Sequence, residues 1–213
     1  MATHIIKMFL KFGEEEHVKD LYYKGTIYMN SIQYFRTIEE DELRGDKYEG
    51  ITQIKNYPLG EIEISALNFK GNYLALQLRE SYEIVLGNIF SLYCISSQGW
   101  ENPHTFKIDE RIKRFGSYCL MIKDNKKFLS LVEEKLNELR IKFSHSFVTY
   151  YDKNNVDRKI TLFEKPLEFQ YQKEFRFYVE RDSHESFSFS VGSLTDIAEV
   201  HRSIDVVDTL KLI

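Results

Sequence analysis

Apolar and polar residues alternate over short stretches along most of the chain, a pattern typical of β-strands. Residues that favour turns or carry charge separate these stretches. The predicted strands are residues 4–10, 26–29, 61–67, 73–78, 89–95, 117–122, 143–151, 160–163, 174–179 and 186–191. Their shortness and close spacing favour antiparallel pairing.

Two longer segments have the spacing of an amphipathic helix. Residues 14–24 carry acidic side chains in the first turn and a lysine at the end, which suits the helix dipole, and Gly25 stops them. Residues 126–140 place their apolar side chains along one stripe, and Asp124 or Asn125 can cap them. Shorter helical turns are predicted at 31–36 and 109–115.

The order of these elements predicts one α+β domain over residues 1–213, with mostly antiparallel strands covered by a few helices. The sequence has no alternating βαβ pattern, no GxGxxG motif and no Walker-type loop. A dinucleotide site of the Rossmann type is therefore not expected.

Composition narrows the class of protein further. The chain has 213 residues, 43% of them hydrophobic, and a formal charge of -4, so a sizeable core is expected and a protein that coats nucleic acid through net charge is not. Cys94 and Cys119 are the only cysteines, and neither a signal-like segment nor a membrane-spanning stretch is evident. We therefore expect a cytoplasmic protein with no membrane contact and no metal site.

The strongest candidate for chemistry is the pair Gln172 and Glu174 at the start of the strand 174–179. Side chains two residues apart on a strand share a face, so this amide and this carboxylate are expected side by side, with Phe175 and Phe177 on the core side. Such a pair can bind a sugar hydroxyl and orient a nucleophile. The alternative is a structural glutamate paired with Arg176 or a lysine.

Three further groups are weaker candidates. Tyr28, Met29 and Tyr34 lie at a strand-to-helix junction, where aromatic rings can stack on a flat ligand or simply pack. The polar segment 37–50, which contains Arg44-Gly45-Asp46, can form a lid or a plain solvated loop. The third group, Ser96 and Ser97, ends the apolar strand, where hydroxyls can brace a carboxylate or begin a turn.

The order of five short motifs resembles that of the ADP-ribosyltransferase-like superfamily, and more closely that of uncharacterised bacterial families with the same landmarks. Their nearest functional parallel is the mRNA-modifying toxins of antiphage toxin–antitoxin–chaperone systems. Together the five motifs span about residues 5 to 180. The motifs are Thr26-Ile27-Tyr28, Tyr34-Phe35-Arg36, Arg44-Gly45-Asp46, Cys94-Ile95-Ser96 and Gln172-Lys173-Glu174-Phe175-Arg176. The resemblance implies a split β-sheet fold, NAD as substrate, a macromolecular acceptor such as mRNA, and an antitoxin and a chaperone as partners.

The same resemblance assigns roles to residues. Glu174 is implied as the catalytic carboxylate and Gln172 as the residue facing the acceptor. Tyr28 or Tyr34 would stack on nicotinamide, and Ser96 or Ser97 would take the place of the bracing serines.

The first strand departs from the pattern, because many members have His or Arg there and this chain has Lys11. Lysine supplies a cation without the two-pronged geometry of arginine. A non-catalytic binding module on the same scaffold therefore stays open as an alternative. So does an RNA-binding protein acting through the basic residues around 107–114 and 126–142.

Overall fold

The computed structural model describes residues 5–37, 48–81, 86–97 and 106–211, and this part of the chain is an α+β fold with mostly antiparallel strands. The strands are β1 (Ile6–Gly13), β2 (Thr26–Ser31), β3 (Ile51–Tyr57), β4 (Gly60–Ile64), β5 (Phe69–Tyr73), β6 (Leu76–Ser81), β7 (Asn88–Ser96), β8 (Tyr118–Ile122), β9 (Phe143–Phe147), β10 (Thr149–Tyr151), β11 (Arg158–Lys159), β12 (Glu164–Pro166), β13 (Glu174–Val179), β14 (Phe187–Ser190) and β15 (Ala198–Arg202). The helices are α1 (Glu15–Lys24), α2 (Ile32–Thr37), α3 (Asn125–Glu138) and α4 (Ser203–Thr209), with 3₁₀ turns at Ser65–Leu67, Glu110–Phe115 and Leu167–Gln172.

An eight-stranded sheet organises the molecule around β7. The main strand order is β14-β2-β7-β1-β8-β15, and β13 pairs with β7 and with β9. Since β13 runs along one edge of β7, both β1 and β2 lie on its other edge, β1 near Tyr93–Ser96 and β2 near Asn88–Ile89. The sheet therefore splits between β1 and β2.

Each face of the sheet carries its own apolar cluster. On one face, α1 and α3 cover a cluster that includes Phe9, Phe90 and Phe175. On the other face, α4 and the 3₁₀ turn Glu110–Phe115 cover a second cluster that includes Leu10 and Tyr93. Successive residues of β1, β7 and β13 point alternately to these two faces.

Three smaller sheets accompany the central one. Strand β3 pairs with β6 and β11, β10 pairs with β12 in parallel, and β4 pairs with β5 as a hairpin. The apolar residues of β3, Ile51 and Ile54, form a separate cluster with Tyr151, Val156 and Ile160.

Gly25 shows why α1 ends where the sequence predicted. Its φ is 64°, its N–H donates to the Leu21 carbonyl, and its own carbonyl accepts from the Val191 N–H. A Cβ atom here would lie 1.9 Å from the carbonyl oxygen of Gly192. Only glycine fits both the left-handed conformation and this close approach.

The predicted elements agree with the structure where the hydrophobic pattern is strong. The strand at 174–179 is confirmed, the strand at 89–95 lies within β7, and the helix at 126–140 corresponds to α3. The predicted strand 160–163 is wrong, because pairing occurs only on either side of it, and 109–115 forms a 3₁₀ turn. None of the described helices is long and apolar enough to cross a membrane.

Candidate active site

The head of β13 is shaped by a sharp reversal at Lys173. The 3₁₀ turn Leu167–Gln172 ends there with a φ of 40°, and Glu174 then begins the strand. Gln172 is therefore not on the strand with Glu174, and the expectation that strand alternation aligns them is wrong. The left-handed turn, held by a hydrogen bond from the Cys94 N–H to the Lys173 carbonyl, brings the two side chains together instead.

Gln172 and Glu174 converge on one ammonium group. Lys165 Nζ donates to Gln172 Oε1 at 2.9 Å and to Glu174 Oε1 at 2.5 Å. All three side chains are buried. An amide oxygen and a carboxylate oxygen thus face the same point, which a hydrogen-bond donor occupies.

The carboxylate belongs to a chain of alternating buried charges. Arg176 Nη2 donates to Glu174 Oε2 at 3.2 Å, and Arg176 Nη1 donates to Glu49 Oε1 at 2.8 Å. Arg176 is only 1% exposed and also donates to the Leu162 carbonyl. Two carboxylates and two cations balance, which is the condition under which buried charges persist.

These contacts keep Glu174 ionised. Burial by itself would raise the pKa of its carboxyl, but the charges of Lys165 and Arg176 together lower that pKa to about 2. The Glu174 N–H also donates to the Tyr150 hydroxyl at 2.9 Å. Burial and the nearby Glu174 charge raise the pKa of Tyr150, which stays a neutral phenol.

A cleft of about 480 Å³ adjoins this network on the same face of the sheet. The residues that line it are Tyr93, Lys107, Ile108, Asp109, Arg111, Leu167, Glu168, Gln170, Tyr171 and Lys173. Two of them adjoin the candidate pair, because Tyr93 is the register partner of Glu174 on β7 and the Tyr171 hydroxyl accepts from Gln172 Nε2 at 3.3 Å. Gln172 and Glu174 themselves lie behind this wall.

The cleft combines cations with aromatic rings. Arg111 stacks 3.7 Å above the Tyr171 ring while pairing with Asp109. Lys107 and Lys173 form no ion pair with another described residue, and burial lowers the pKa of Lys173. The Tyr93 hydroxyl is buried without a hydrogen-bond partner in the described part of the chain. These groups suit an anionic ligand that carries a ring.

The residues predicted to contact a ligand ring do not all point to the same face of the sheet. Tyr28 is 54% exposed and points to the Glu174 face, since its neighbours Ile27 and Met29 belong to the cluster on the opposite face. Tyr34 lies on α2 with its ring against Phe35. The structure places Met29, which was also assigned to the ligand site, in the core, where its side chain is 1% exposed.

Lys11 and Ser96 lie on the opposite face of the sheet from Glu174. Lys11 donates to the Ser91 carbonyl at 2.8 Å, where β1 and β2 separate, and its ammonium lies over the Phe90 ring. Ser96 follows the alternation of Cys94, so its side chain also points away from Glu174. The serine that contacts the Glu174 carboxylate is Ser91.

The remaining residues that the sequence singled out are the 37–50 segment, the basic residues and the two cysteines. Arg44-Gly45-Asp46 lies outside the described ranges, as does most of the segment 37–50. Of the basic residues around 107–114 that could contact RNA, Lys113 pairs with Glu110 and Asp208, while Arg114 forms no ion pair with another described residue. Cys94 and Cys119 are buried, unpaired thiols, and burial raises the pKa of Cys94 to about 12.

Sequence reasoning missed most partners of Glu174. Lys165 lies nine residues before Glu174 and Glu49 lies 127 residues before Arg176, and no local pattern connects either of them to the carboxylate, although a lysine partner was one stated alternative and Glu49 lies near the end of the predicted polar segment 37–50. Arg176 does carry a signal, because it lies two residues along the same strand and was recognised as a possible partner. Within the described ranges no cluster of three or more His, Cys, Asp or Glu could hold a metal ion.

The arrangement offers an ionised carboxylate and an amide converging on one point, next to a cleft with cations and tyrosines. It can bind hydroxyl donors once Lys165 withdraws, and it can hold phosphates in the cleft. No protein-family model matches this chain, and neither does any curated protein or solved structure.

Proposed function

We propose that this chain is an NAD-dependent ADP-ribosyltransferase, a toxin or antiphage effector that modifies a macromolecular acceptor, with RNA favoured over protein. The observation that carries the proposal is the convergence of Gln172 and Glu174 on the Lys165 ammonium beside the cleft. A ribose carries two neighbouring hydroxyls, each with one O–H donor, and together they can replace the ammonium, one at each oxygen.

The chemistry follows from the charge on Glu174. When the bond between nicotinamide and ribose C1′ breaks, nicotinamide leaves with the bonding electrons and positive charge develops on the ribose. A fixed carboxylate stabilises that charge more than it stabilises intact NAD. The acceptor nucleophile then forms its bond to C1′ and releases its proton to the solvent.

The cleft has the groups that an NAD molecule needs outside the reacting bond. Lys107 and Lys173 can neutralise the pyrophosphate, and Tyr171, already stacked under Arg111, offers an aromatic face. The exposed cations Lys107 and Arg114, which pair with no acid in the described part of the chain and lie on the Glu174 face of the sheet, favour RNA as the acceptor.

The ion pair between Lys165 and Glu174 has a mechanistic consequence. The ammonium occupies the position required by the substrate hydroxyl, so Lys165 must withdraw when NAD binds. Without substrate, the ion pair with Lys165 compensates the charge of the buried Glu174 carboxylate.

The direct test incubates the protein with labelled NAD and a cell extract, and measures label on RNA and on protein. We expect label with the natural chain and at least a 100-fold loss with Glu174→Gln, since one preorganised charge is removed. Glu180→Gln is the matched control, because Glu180 follows the same strand and is exposed. Expression in bacteria should also arrest growth with the natural chain and not with Glu174→Gln.

The experiment contradicts the proposal if the natural chain transfers no label to either fraction, or if folded Glu174→Gln transfers as much. Urea unfolding of each variant establishes that it is folded. The antitoxin and chaperone implied by the resemblance form part of the same proposal. Rescue of growth by genes encoded beside this one is the corresponding measurement.

A non-catalytic nucleotide-binding module is the second candidate. The observation that favours it is the pairing of both Glu174 oxygens with buried cations, which leaves the carboxylate compensated. Calorimetric titration with NAD distinguishes this binding module from the transferase. Binding that Lys107→Ala weakens and Glu174→Gln does not, without release of nicotinamide, supports the module.

A further inference from the structure

Strand β9 forms an open edge of the central sheet. One side of it pairs with β13, and no described strand pairs with its other side. The Val148 N–H donates to the Glu174 carbonyl, which fixes the phase of this ladder. Because hydrogen-bonded residues alternate along an antiparallel pair, the backbone groups of Phe143 and His145 point to the open side. Neither backbone forms a hydrogen bond with another described residue there.

The edge of β9 lacks the features that usually keep another strand away. Charged residues, prolines and bulges are the common ones. Strand β15, which ends the main strand order, carries Glu199, His201 and Arg202. Strand β9 reads Phe-Ser-His-Ser-Phe with a continuous register, and its only ionisable side chain, His145, is hydrogen-bonded to Glu133 of α3. An extended segment can therefore add to this edge without facing an uncompensated charge.

Both faces of the sheet leave room beside β9. On one face, Ser144 and Ser146 are exposed. On the other face, α3 lies over β1, where its Phe128 ring packs edge-on against Phe9, and β7 and β13 separate β1 from β9. A strand added beside β9 would thus continue the sheet beyond α3.

The sequence of β9 is a palindrome centred on His145. When two copies pair antiparallel about this residue, Phe143 lies opposite Phe147 of the second copy and Ser144 lies opposite Ser146. Aromatic pairs and hydroxyl pairs are both favourable across neighbouring strands. The rings of Phe143 and Phe147 are only partly buried by the core, so pairing would cover their remaining surface.

We propose that β9 pairs with β9 of a second copy of the chain, antiparallel and about a two-fold axis at His145. The His145 N–H of each copy then donates to the His145 carbonyl of the other, and the two central sheets become one continuous sheet. A two-fold interface requires a surface that complements itself, and each of the five positions of β9 meets a residue of its own type. The inference is independent of the proposed enzymatic activity.

The length of the strand limits the strength of this dimer. Five residues at about 3.4 Å each give an edge of about 17 Å, which is a small interface. We therefore expect reversible association with a dissociation constant on the order of 10–100 μM.

The two exposed serines allow a test of the pairing itself. The double variant Ser144→Lys with Ser146→Lys places lysine opposite lysine at two symmetric positions. The matched control, Ser144→Lys with Ser146→Glu, places lysine opposite glutamate in the same register. Neither variant alters a buried side chain.

Sedimentation equilibrium of the full chain from about 1 to 200 μM measures the association. The natural chain should shift from monomer to dimer over this range. The double-lysine variant should associate roughly 10-fold more weakly or worse, because like charges directly opposite each other repel. The lysine–glutamate control should associate at least as tightly as the natural chain. Mixing the double-lysine variant with Ser144→Glu, Ser146→Glu should restore the dimer.

Urea unfolding establishes that each variant is folded, and since both serines are exposed we expect all transitions to match the natural one. The proposal is overturned if the natural chain stays monomeric at 200 μM, including the case in which β9 pairs with a strand of another protein instead. It is also overturned if the double-lysine variant dimerises as tightly as the natural chain, or if the lysine–glutamate control loses the dimer.

Discussion

Arg176 is the side chain on which the buried charges depend. It holds Glu49 and Glu174 at once and is 1% exposed, so its removal leaves two carboxylates facing each other with only Lys165 as compensation. Breaking a buried pair is far more costly than replacing it entirely.

We expect Arg176→Met to lower the free energy of unfolding by about 3–5 kcal/mol, because it strands buried negative charge. The double variant Glu49→Met with Arg176→Met should recover at least half of that loss, since Lys165 and Glu174 then balance each other. Urea unfolding of both variants measures this. Equal losses in the single and double variants would mean that charge imbalance is not the cause.

For single residues, the sequence predicted the position of a side chain on its strand better than it predicted which side chains it contacts. Glu174 was correctly placed at the start of its strand with Phe175 and Phe177 on the core side, because alternation is local. Gln172 was expected beside it through strand alternation, but Gln172 lies in the 3₁₀ turn before the strand, and the left-handed turn at Lys173 brings the two side chains together. Lysine carries no signal for that conformation, which glycine or asparagine usually supplies.

Gly25 shows the same contrast for a whole element. It was predicted to stop α1, and the helix does end there with the left-handed cap. The sequence did not reveal the second reason for glycine, the close approach of the 190–192 backbone. That contact joins residues far apart in the chain.

Gly25→Ala should therefore destabilise the protein by about 3 kcal/mol, combining backbone strain with the clash against the Gly192 carbonyl. Gly192 is a matched control, because its φ of 84° imposes similar strain while no atom lies within 4 Å of its Cβ position. Gly192→Ala should cost only about 1 kcal/mol. Thermal unfolding compares the two, and equal losses would show that the close approach has no energetic weight.

The ends of the other helices and strands were predicted correctly only where a local sequence signal marks them. Asp124 caps α3 by accepting from the Lys127 N–H at 3.0 Å, one of the two caps the sequence offered. The stretch 143–151 was predicted as one strand, but it breaks at Val148 into β9 and β10. There the chain leaves the central sheet to pair with β12, and no local pattern encodes that change of partner.

At the scale of the whole molecule, the buried ion pairs of Glu174 and Arg176 link the central sheet to three other segments. These segments carry Glu49, Leu162 and Lys165. Acid should weaken this link. The Glu174 pKa is about 2 in the folded protein against an ordinary value of 4.5, so the folded state binds this proton less readily than the unfolded chain. Its contribution is complete above about pH 5 and is lost as the pH falls towards 2.

The stability advantage of the natural chain over Glu174→Gln should accordingly shrink by about 3 kcal/mol between pH 6 and pH 2. Urea unfolding of both proteins at several pH values and constant ionic strength measures the difference. A difference that does not change with pH would show that Glu174 titrates normally in the folded state.

The position of β7 at the middle of the sheet has a consequence for biosynthesis. Its partner β1 lies about 80 residues earlier in the chain and its partner β13 about 80 residues later, so neither edge can be satisfied by neighbouring segments. Such non-local pairing slows folding to the range of milliseconds to seconds. A nascent chain will carry an open, apolar β7 edge until Val179 has left the ribosome, which makes incomplete chains prone to aggregate during translation.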